Sequence, residues 1–82
     1  MEALLFSYRG NSRGLRKIIV SLLKSGCASR VHKFNYVQSF ELKENEIEKS
    51  EIKYIIIYTD DESKLLSFLS KNFSQIERVE LN

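Results

Sequence analysis

The clearest pattern in the chain is a helical spacing of apolar residues after a short polar loop. They recur at i, i+3, i+4, i+7 and i+8, as Leu15, Ile18, Ile19, Leu22 and Leu23. This spacing places the side chains on one face of a helix. Ser12 is a suitable N-cap, and Gly26 can adopt the left-handed conformation of a C-cap. The pattern predicts an amphipathic helix between these two residues.

Apolar runs on both sides of this helix predict strands. Residues 3–8 form one such run, and residues 52–59 form the most apolar and β-branched run of the chain. A run of the second kind is typical of a strand that is buried on both faces of a sheet. Residues 31–42 predict a further strand, with Phe34, Tyr36 and Phe40 on one face. Residues 43–45 form the turn between these two strands, because Asn45 tolerates the left-handed conformation.

A second helix and a last strand complete the pattern. Acidic residues at positions 60–62 precede apolar residues at helical spacing: Leu65, Phe68, Leu69 and Phe73. Acidic side chains favour a helix N-terminus. Residues 76–81 then alternate as a short strand. The order βαββαβ predicts an α+β fold, the ferredoxin-like sandwich, in which two helices cover one face of a four-stranded antiparallel sheet. Residues 1–82 are expected to form this single domain.

The predicted hairpin is too long for the sheet. At about 3.3 Å per residue the first strand spans roughly 20 Å, whereas the second strand with its turn spans roughly 40 Å. About half of the hairpin therefore overhangs its own sheet, and an isolated two-stranded ribbon is marginally stable in water. We expect the hairpin to pair with a neighbouring copy of the chain in a closed ring.

Composition and charge narrow the class of protein. The chain carries 43% hydrophobic and 29% charged residues, as ordinary soluble proteins do. One cysteine excludes an intrachain disulfide and fits a cytoplasmic protein. No apolar run approaches the length of a membrane span, so we expect no membrane partner. Residues 1–38 hold seven Lys or Arg, but the acidic second half would repel phosphate, so we do not expect nucleic acid as a partner.

The loop before the first helix is a candidate anion site. Its five residues are Arg9, Gly10, Asn11, Ser12 and Arg13. Free N–H groups at a helix N-terminus attract anions, and glycine lets a ligand approach the backbone. Phosphate, a nucleotide or a carboxylate would suit such a loop. The alternative is a turn and N-cap with solvated arginines. An acylphosphatase-like phosphate cradle is a further alternative, although the wider motif of such enzymes is missing.

Metal-binding residues are sparse. Cys27 and His32 could contribute to a copper or zinc site that symmetry mates complete. The alternative is that Cys27 packs as a small apolar residue and His32 lies on a strand surface. The glutamates at positions 44, 46, 48 and 51 crowd the hairpin tip, and they favour a solvated arm or ion pairs between subunits over a catalytic site. No resident cofactor is expected.

The chain resembles the CutA family of divalent-cation tolerance proteins over nearly its whole length. Ser39, Asn45 and the pair Ile47-Glu48 fall on the family pattern S-x-Y-x-W-x-G-x-I-E. Residues 54–59 fall on the apolar strand that follows this pattern, and residues 28–32 fall on the family stretch AACVN. The signature side chains differ: Glu41, Lys43 and Arg30 stand at the family Tyr, Trp and Cys positions, and residues 72–75 replace HPYE.

The resemblance implies the ferredoxin-like fold and assembly into a homotrimer. It also implies a non-catalytic role in divalent metal ion tolerance or response. Because the family is similar in fold to the PII signalling proteins, a sensor that binds a small anion or nucleotide between subunits is the alternative function. An acylphosphatase-like hydrolase is a further alternative. Because the family Cys and HPYE positions are changed, we expect no tight intrinsic copper or zinc site.

Overall fold

The computed structural model describes residues 1–35 and 37–80. Its elements, in chain order, are β1 (Glu2–Tyr8), α1 (Ser12–Ser25), β2 (Arg30–Phe34), β3 (Gln38–Lys43), β4 (Glu46–Glu51), β5 (Lys53–Thr59), α2 (Glu62–Asn72) and β6 (Ile76–Arg78). Four strands form one antiparallel sheet in the order β2-β5-β1-β6, and β3 pairs with β4 in a separate two-stranded sheet. The predicted ferredoxin-like α+β fold is confirmed, with the hairpin divided between two sheets.

The core lies between the four-stranded sheet and the two helices. In β1, the buried residues alternate with half-buried ones, and in β5 the same alternation holds. The register pairs Leu4 with Ile57 and Phe6 with Ile55, so these buried side chains share one face. Leu15, Ile18 and Leu22 of α1 pack in the same cluster, as do Leu65 and Leu69 of α2. Both helices therefore cover this face, as the periodicity predicts.

The helix ends are set by side chains and by backbone conformation. Asn11 is the N-cap of α1, because its Oδ1 accepts a hydrogen bond from the N–H of Gly14 at 2.7 Å. The expectation of Ser12 as N-cap is therefore wrong by one residue. Gly26 ends α1 at φ 80°, which confirms the predicted left-handed cap. Asp61 caps α2 by accepting from the N–H of Lys64 at 3.1 Å.

In the described residues, both helices lie on one face of the sheet, and no helix covers the opposite face. Its side chains, which we call the helix-free face, are Ala3, Leu5, Ser7, Arg30, His32, Phe34, Tyr54, Ile56, Tyr58 and Glu77. Leu5, Tyr54, Ile56 and Tyr58 are half-buried, and Phe34 is 44% exposed. The expectation that β5 is buried on both faces is therefore wrong for a single chain, since only the side toward the helices is fully covered.

The two-stranded sheet β3–β4 projects as an arm (residues 38–51). Its tip is a two-residue turn in which Glu44 (φ 51°) and Asn45 (φ 69°) are both left-handed, as a type I′ hairpin requires. The radius of gyration is 13.7 Å, compared with about 12 Å for a compact domain of this length, and the longest dimension is 44 Å. The projection of the arm explains this excess.

Two predicted strand boundaries differ from the structure. The strand expected over residues 31–42 is divided, because β2 ends at Phe34 and β3 begins at Gln38. The strand expected over residues 76–81 ends at Arg78. The predicted positions of Tyr36 and Leu81 lie outside the described residues. Because of the break after Phe34, the arm forms a sheet of its own.

Candidate functional site

The loop between β1 and α1 is held in place by backbone contacts on both sides. The N–H of Arg9 donates to the carbonyl of Gln75 at 3.0 Å, next to β6. Lys53, at the start of β5, donates from Nζ to the carbonyl of Gly10 at 3.1 Å. The loop is therefore attached to both neighbours of β1. Its position is fixed by the sheet as well as by the helix cap.

The two glycines of this loop make room for Tyr8. A Cβ atom at either Gly10 or Gly14 would collide with the phenol oxygen of Tyr8. Gly10 has φ 156°, a backbone conformation that residues with a side chain rarely adopt. The Tyr8 side chain thus occupies the space over the glycines that the sequence pattern assigned to an anion. The N–H of Gly14 is also satisfied, because Asn11 accepts from it.

An open cavity lies at the elbow between the arm and the end of β1. Its volume is about 330 Å³, and it is lined by Arg9, Glu41, Lys43, Glu48, Lys49, Ser50, Glu51 and Ile52. Of the five predicted anion-site residues, Arg9 is the one that lines this elbow cavity within the described chain. Arg13 is exposed on α1. Because three glutamates line the cavity as well, it presents both signs of charge to a ligand.

A small ion-pair network lies on the arm side of this cavity. Glu41 and Glu48 are directly opposite each other on β3 and β4. Like charges in that position destabilise a strand pair. The Nζ atom of Lys43 lies 3.6 Å from a Glu41 oxygen and 3.5 Å from a Glu48 oxygen. Lys43 therefore compensates the two carboxylates, in the position that a bound cation would take.

The candidate metal ligands Cys27 and His32 lie on different sides of the sheet. Cys27 is 4% exposed and belongs to the core under the helices. His32 is exposed on the helix-free face, where its ring meets that of Tyr58 edge-on with 5.2 Å between centroids. The guanidinium of Arg30 lies 5.8 Å from the centre of the same Tyr58 ring. In a single chain, Cys27 and His32 therefore do not form a pair.

The described residues also contain no other cluster of side chains that could bind a metal ion. Across residues 1–35 and 37–80, no group of three or more His, Cys, Asp or Glu side chains is placed to hold a metal ion. The glutamates of the arm are exposed and, with Lys43 between two of them, do not enclose a site.

A carboxyl pair at the N-terminal end of the central strand β1 was not anticipated from the sequence. Glu2 of β1 lies beside Glu62 in the first turn of α2. A hydrogen bond with Glu62, followed by repulsion from its charge, raises the pKa of Glu2 above its ordinary value of 4.5. Arg78 forms an ion pair with Glu62 at 2.7 Å. Since Glu2 and Glu62 are sixty residues apart, no sequence motif joins them.

The arrangement of strands and helices alone defines the class of protein. A four-stranded antiparallel sheet in the order β2-β5-β1-β6, with two helices on one face and a projecting arm, is a ferredoxin-like α+β domain. Within the described part of the chain, neither helix is long and apolar enough to cross a membrane. The arm and the helix-free face distinguish this domain from a fully enclosed sandwich.

Solved structures of CutA proteins are similar to this chain. CutA from Pyrococcus horikoshii superposes with a TM-score of 0.68 at 15% identity, covering 99% of this chain and 85% of that one. The divalent ion tolerance protein CutA1 from Ehrlichia chaffeensis gives 0.69 at 17% identity, over 98% and 78%. A periplasmic divalent cation tolerance protein CutA from Archaeoglobus fulgidus gives 0.63 at 18% identity, over 99% and 85%.

These similarities confirm the resemblance to CutA proteins at the level of the fold. At 15–18% identity, likeness of structure establishes the fold and leaves the function to other arguments. No protein-family model matches the sequence, and no curated protein matches it. The chain has the CutA fold over nearly its whole length, with different side chains at the positions that the sequence comparison singled out.

Proposed function

We propose that this protein is a CutA-like, non-catalytic homotrimer of the cytoplasm with a role in divalent metal ion tolerance or response. The observation that carries the proposal is the shared fold. Proteins described as divalent cation or divalent ion tolerance proteins match 98–99% of this chain, arm included. Two surfaces of the single chain, the helix-free face and the arm, support the assembly.

The β5 residues of the helix-free face have the composition of a protein interior. β5 contributes Tyr54, Ile56 and Tyr58 to this face, and each of these residues is half-buried in the single chain. Full burial of a large apolar side chain contributes about 1.5–3 kcal/mol. Covering the remaining part of each would therefore contribute on the order of 1 kcal/mol per residue. The sequence of β5 fits a strand with both faces covered, and a neighbouring copy would supply the second cover.

One face of the arm carries apolar side chains that are exposed in the single chain. Phe40, Leu42 and Ile47 are 64%, 72% and 74% exposed. Leu42 and Ile47 are cross-strand partners, and Phe40 lies on the same face two residues along β3. An isolated ribbon of two strands is marginally stable. A neighbour that covers this face, or pairs with an open edge of the arm, would stabilise it.

Sedimentation equilibrium tests the assembly. The wild-type chain should sediment at three times the chain mass at micromolar concentration. Ile47→Glu places a charge in the apolar face of the arm and should shift the equilibrium toward monomer. Glu46→Gln is the matched control, because Glu46 is its neighbour on the opposite face of β4. A folded wild-type monomer at these concentrations would contradict the trimer.

The metal role needs a separate test, since assembly alone does not establish it. Cells with and without this chain should differ in growth across a series of copper or zinc concentrations. Cells that carry Ile47→Glu should behave as cells without the chain if the role requires the trimer. Equal growth of all three strains at every concentration would contradict a role in tolerance, whatever the oligomeric state proves to be.

The elbow cavity favours a second function, a PII-like sensor of small anions or nucleotides. Arg9 lines it and can bind a carboxylate or phosphate in a bidentate manner. We expect phosphate to shift the NMR signals of residues 9–13, and Arg9→Ala to abolish the shifts. Calorimetry with phosphate and with copper separates the two functions. Phosphate shifts confined to the glutamates of the arm would contradict the sensor.

A further inference from the structure

The outer surface of the two helices is predominantly basic, although the exposed Asp61 caps the N-terminus of α2. α1 carries Arg13, Arg16, Lys17 and Lys24, all exposed, and contains no acidic residue. α2 adds Lys64 and Lys71, also exposed, and has Glu62 as its one acidic residue. Glu62 is engaged by Arg78 at 2.7 Å. We call these six cations, with the residues between them, the basic face.

The cations of α1 share a narrow sector with two apolar side chains. At 3.6 residues per turn, its four cations together with Val20 and Leu23 occupy roughly 120° of the helix circumference. Val20 is 38% and Leu23 is 42% exposed. The buried residues Leu15, Ile18 and Leu22 lie on the other side of α1. An exposed helix face that combines cations with apolar residues is typical of helices that lie on membrane surfaces.

We propose that the basic face docks this protein onto an anionic lipid bilayer as a peripheral contact. Cations on one helix surface are attracted to acidic headgroups, and their long apolar stems can extend along the acyl boundary. Val20 and Leu23 would add apolar contact in the same plane. The expectation of no membrane partner depends on the lack of a spanning segment, which does not bear on contact with a surface.

The composition of the basic face favours lipid over nucleic acid. Single strands are bound by aromatic residues on which bases stack. The aromatic residues of this region, Phe68 and Phe73, instead pack against each other at 5.9 Å between ring centroids and against the core. A phosphate backbone also offers Val20 and Leu23 no apolar partner. An anionic bilayer can contact both the cations and the apolar side chains of this surface.

The basic face and the helix-free face, which is one of the two surfaces of the proposed trimer, lie on opposite sides of the sheet. The helices cover one side, whereas the helix-free face forms the other. Assembly through the helix-free face would therefore leave the basic face open to a bilayer. Because the two surfaces are separate, membrane docking and the proposed function can be tested, and can fail, independently of each other.

Vesicle flotation tests the proposal. The full chain should float with vesicles of phosphatidylcholine mixed with phosphatidylglycerol, and not with phosphatidylcholine alone. Each cation at an anionic surface strengthens binding roughly fivefold, so Lys17→Glu should weaken flotation by more than tenfold. Lys49→Glu, the same change in net charge on the arm, should leave it within about twofold. Both variants should first be shown to keep the sedimentation mass of the wild type.

Two further perturbations of vesicle flotation, raised salt and substitution of an apolar residue, test the proposal. Raising the salt from 0.1 M to 1 M shortens the screening length from about 10 Å to about 3 Å and should abolish flotation. Leu23→Ser should weaken flotation at low salt if the face enters the acyl boundary. The proposal is overturned by failure to float with acidic vesicles or by equal effects of Lys17→Glu and Lys49→Glu. Binding to duplex DNA or polyglutamate without binding to vesicles would also overturn it.

Discussion

Two adjacent isoleucines in β5 test whether the helix-free face is an interface. Ile55 points into the core and is fully buried, whereas Ile56 points to the helix-free face and is half-buried. Ile55→Ala removes a core side chain and should cost about 2–5 kcal/mol at any protein concentration. If the chain were a monomer, Ile56→Ala would remove a partly exposed side chain and should cost about 1 kcal/mol.

In a trimer, the same Ile56→Ala change acts once in each of three subunits. At roughly 1–2 kcal/mol per subunit, the three changes together weaken the assembly by about 3–6 kcal/mol. Since 1.4 kcal/mol is a factor of ten, the trimer dissociation constant should rise by a factor on the order of 10² to 10⁴. Ile55→Ala should lower the stability of the subunit instead.

Sedimentation equilibrium and urea denaturation, each over a range of protein concentrations, distinguish the two substitutions. The Ile56 variant should dissociate to monomer at concentrations where the wild type remains a trimer, while its circular dichroism at high concentration is unchanged. The reasoning is refuted if Ile56→Ala leaves the sedimentation profile unaltered, or if its denaturation midpoint falls by the same amount at every concentration.

Three further predictions concern single side chains. Asn11→Ala should destabilise the protein by about 0.5–2 kcal/mol in urea denaturation, whereas Ser12→Ala should have little effect, because Asn11 is the N-cap. A carboxyl group with a raised pKa destabilises the fold when it ionises, so stability should fall as the pH rises above 4.5 through the raised pKa of Glu2. This fall should disappear in Glu2→Gln when the two proteins are melted across a pH series. Copper and zinc titrations should show no submicromolar site, and a tight copper site that vanishes in Cys27→Ser would overturn this expectation.

The periodicity of the sequence was sufficient to predict the main elements of the fold. Leu15, Ile18 and Leu22 face the core as their spacing predicts, and the left-handed Gly26 ends α1. The central positions of β1 and β5 follow from their apolar composition. These features are local or depend on one face of one element. They are therefore visible in a sequence without any knowledge of the neighbouring elements.

Features that depend on packing between elements were not predictable. Asn11 and Ser12 are both good N-cap residues, and only the structure shows that the N–H of Gly14 donates to Asn11. The candidate anion loop is placed at a helix N-terminus, as expected. The Tyr8 side chain that lies against Gly10 and Gly14 could not be inferred, because its direction depends on the sheet and helix together.

The break after Phe34 illustrates the same limit. Residues 31–42 alternate without an internal signal for a strand end, since the chain contains no proline and has no glycine between positions 27 and 82. The break follows from the geometry of the whole molecule, because β2 pairs with β5 only as far as Tyr54. Beyond that point β3 pairs with β4 alone. The elbow cavity exists because of this division.

The composition of the arm has a consequence for newly made chains. Every chain must first exist alone, with open strand edges and with Phe40, Leu42 and Ile47 exposed to water. Edges of this kind promote aggregation, and charged residues beside them oppose it. The arm carries five glutamates and two lysines, so the arms of separate chains repel each other. This repulsion should oppose aggregation of isolated chains before the proposed trimer forms.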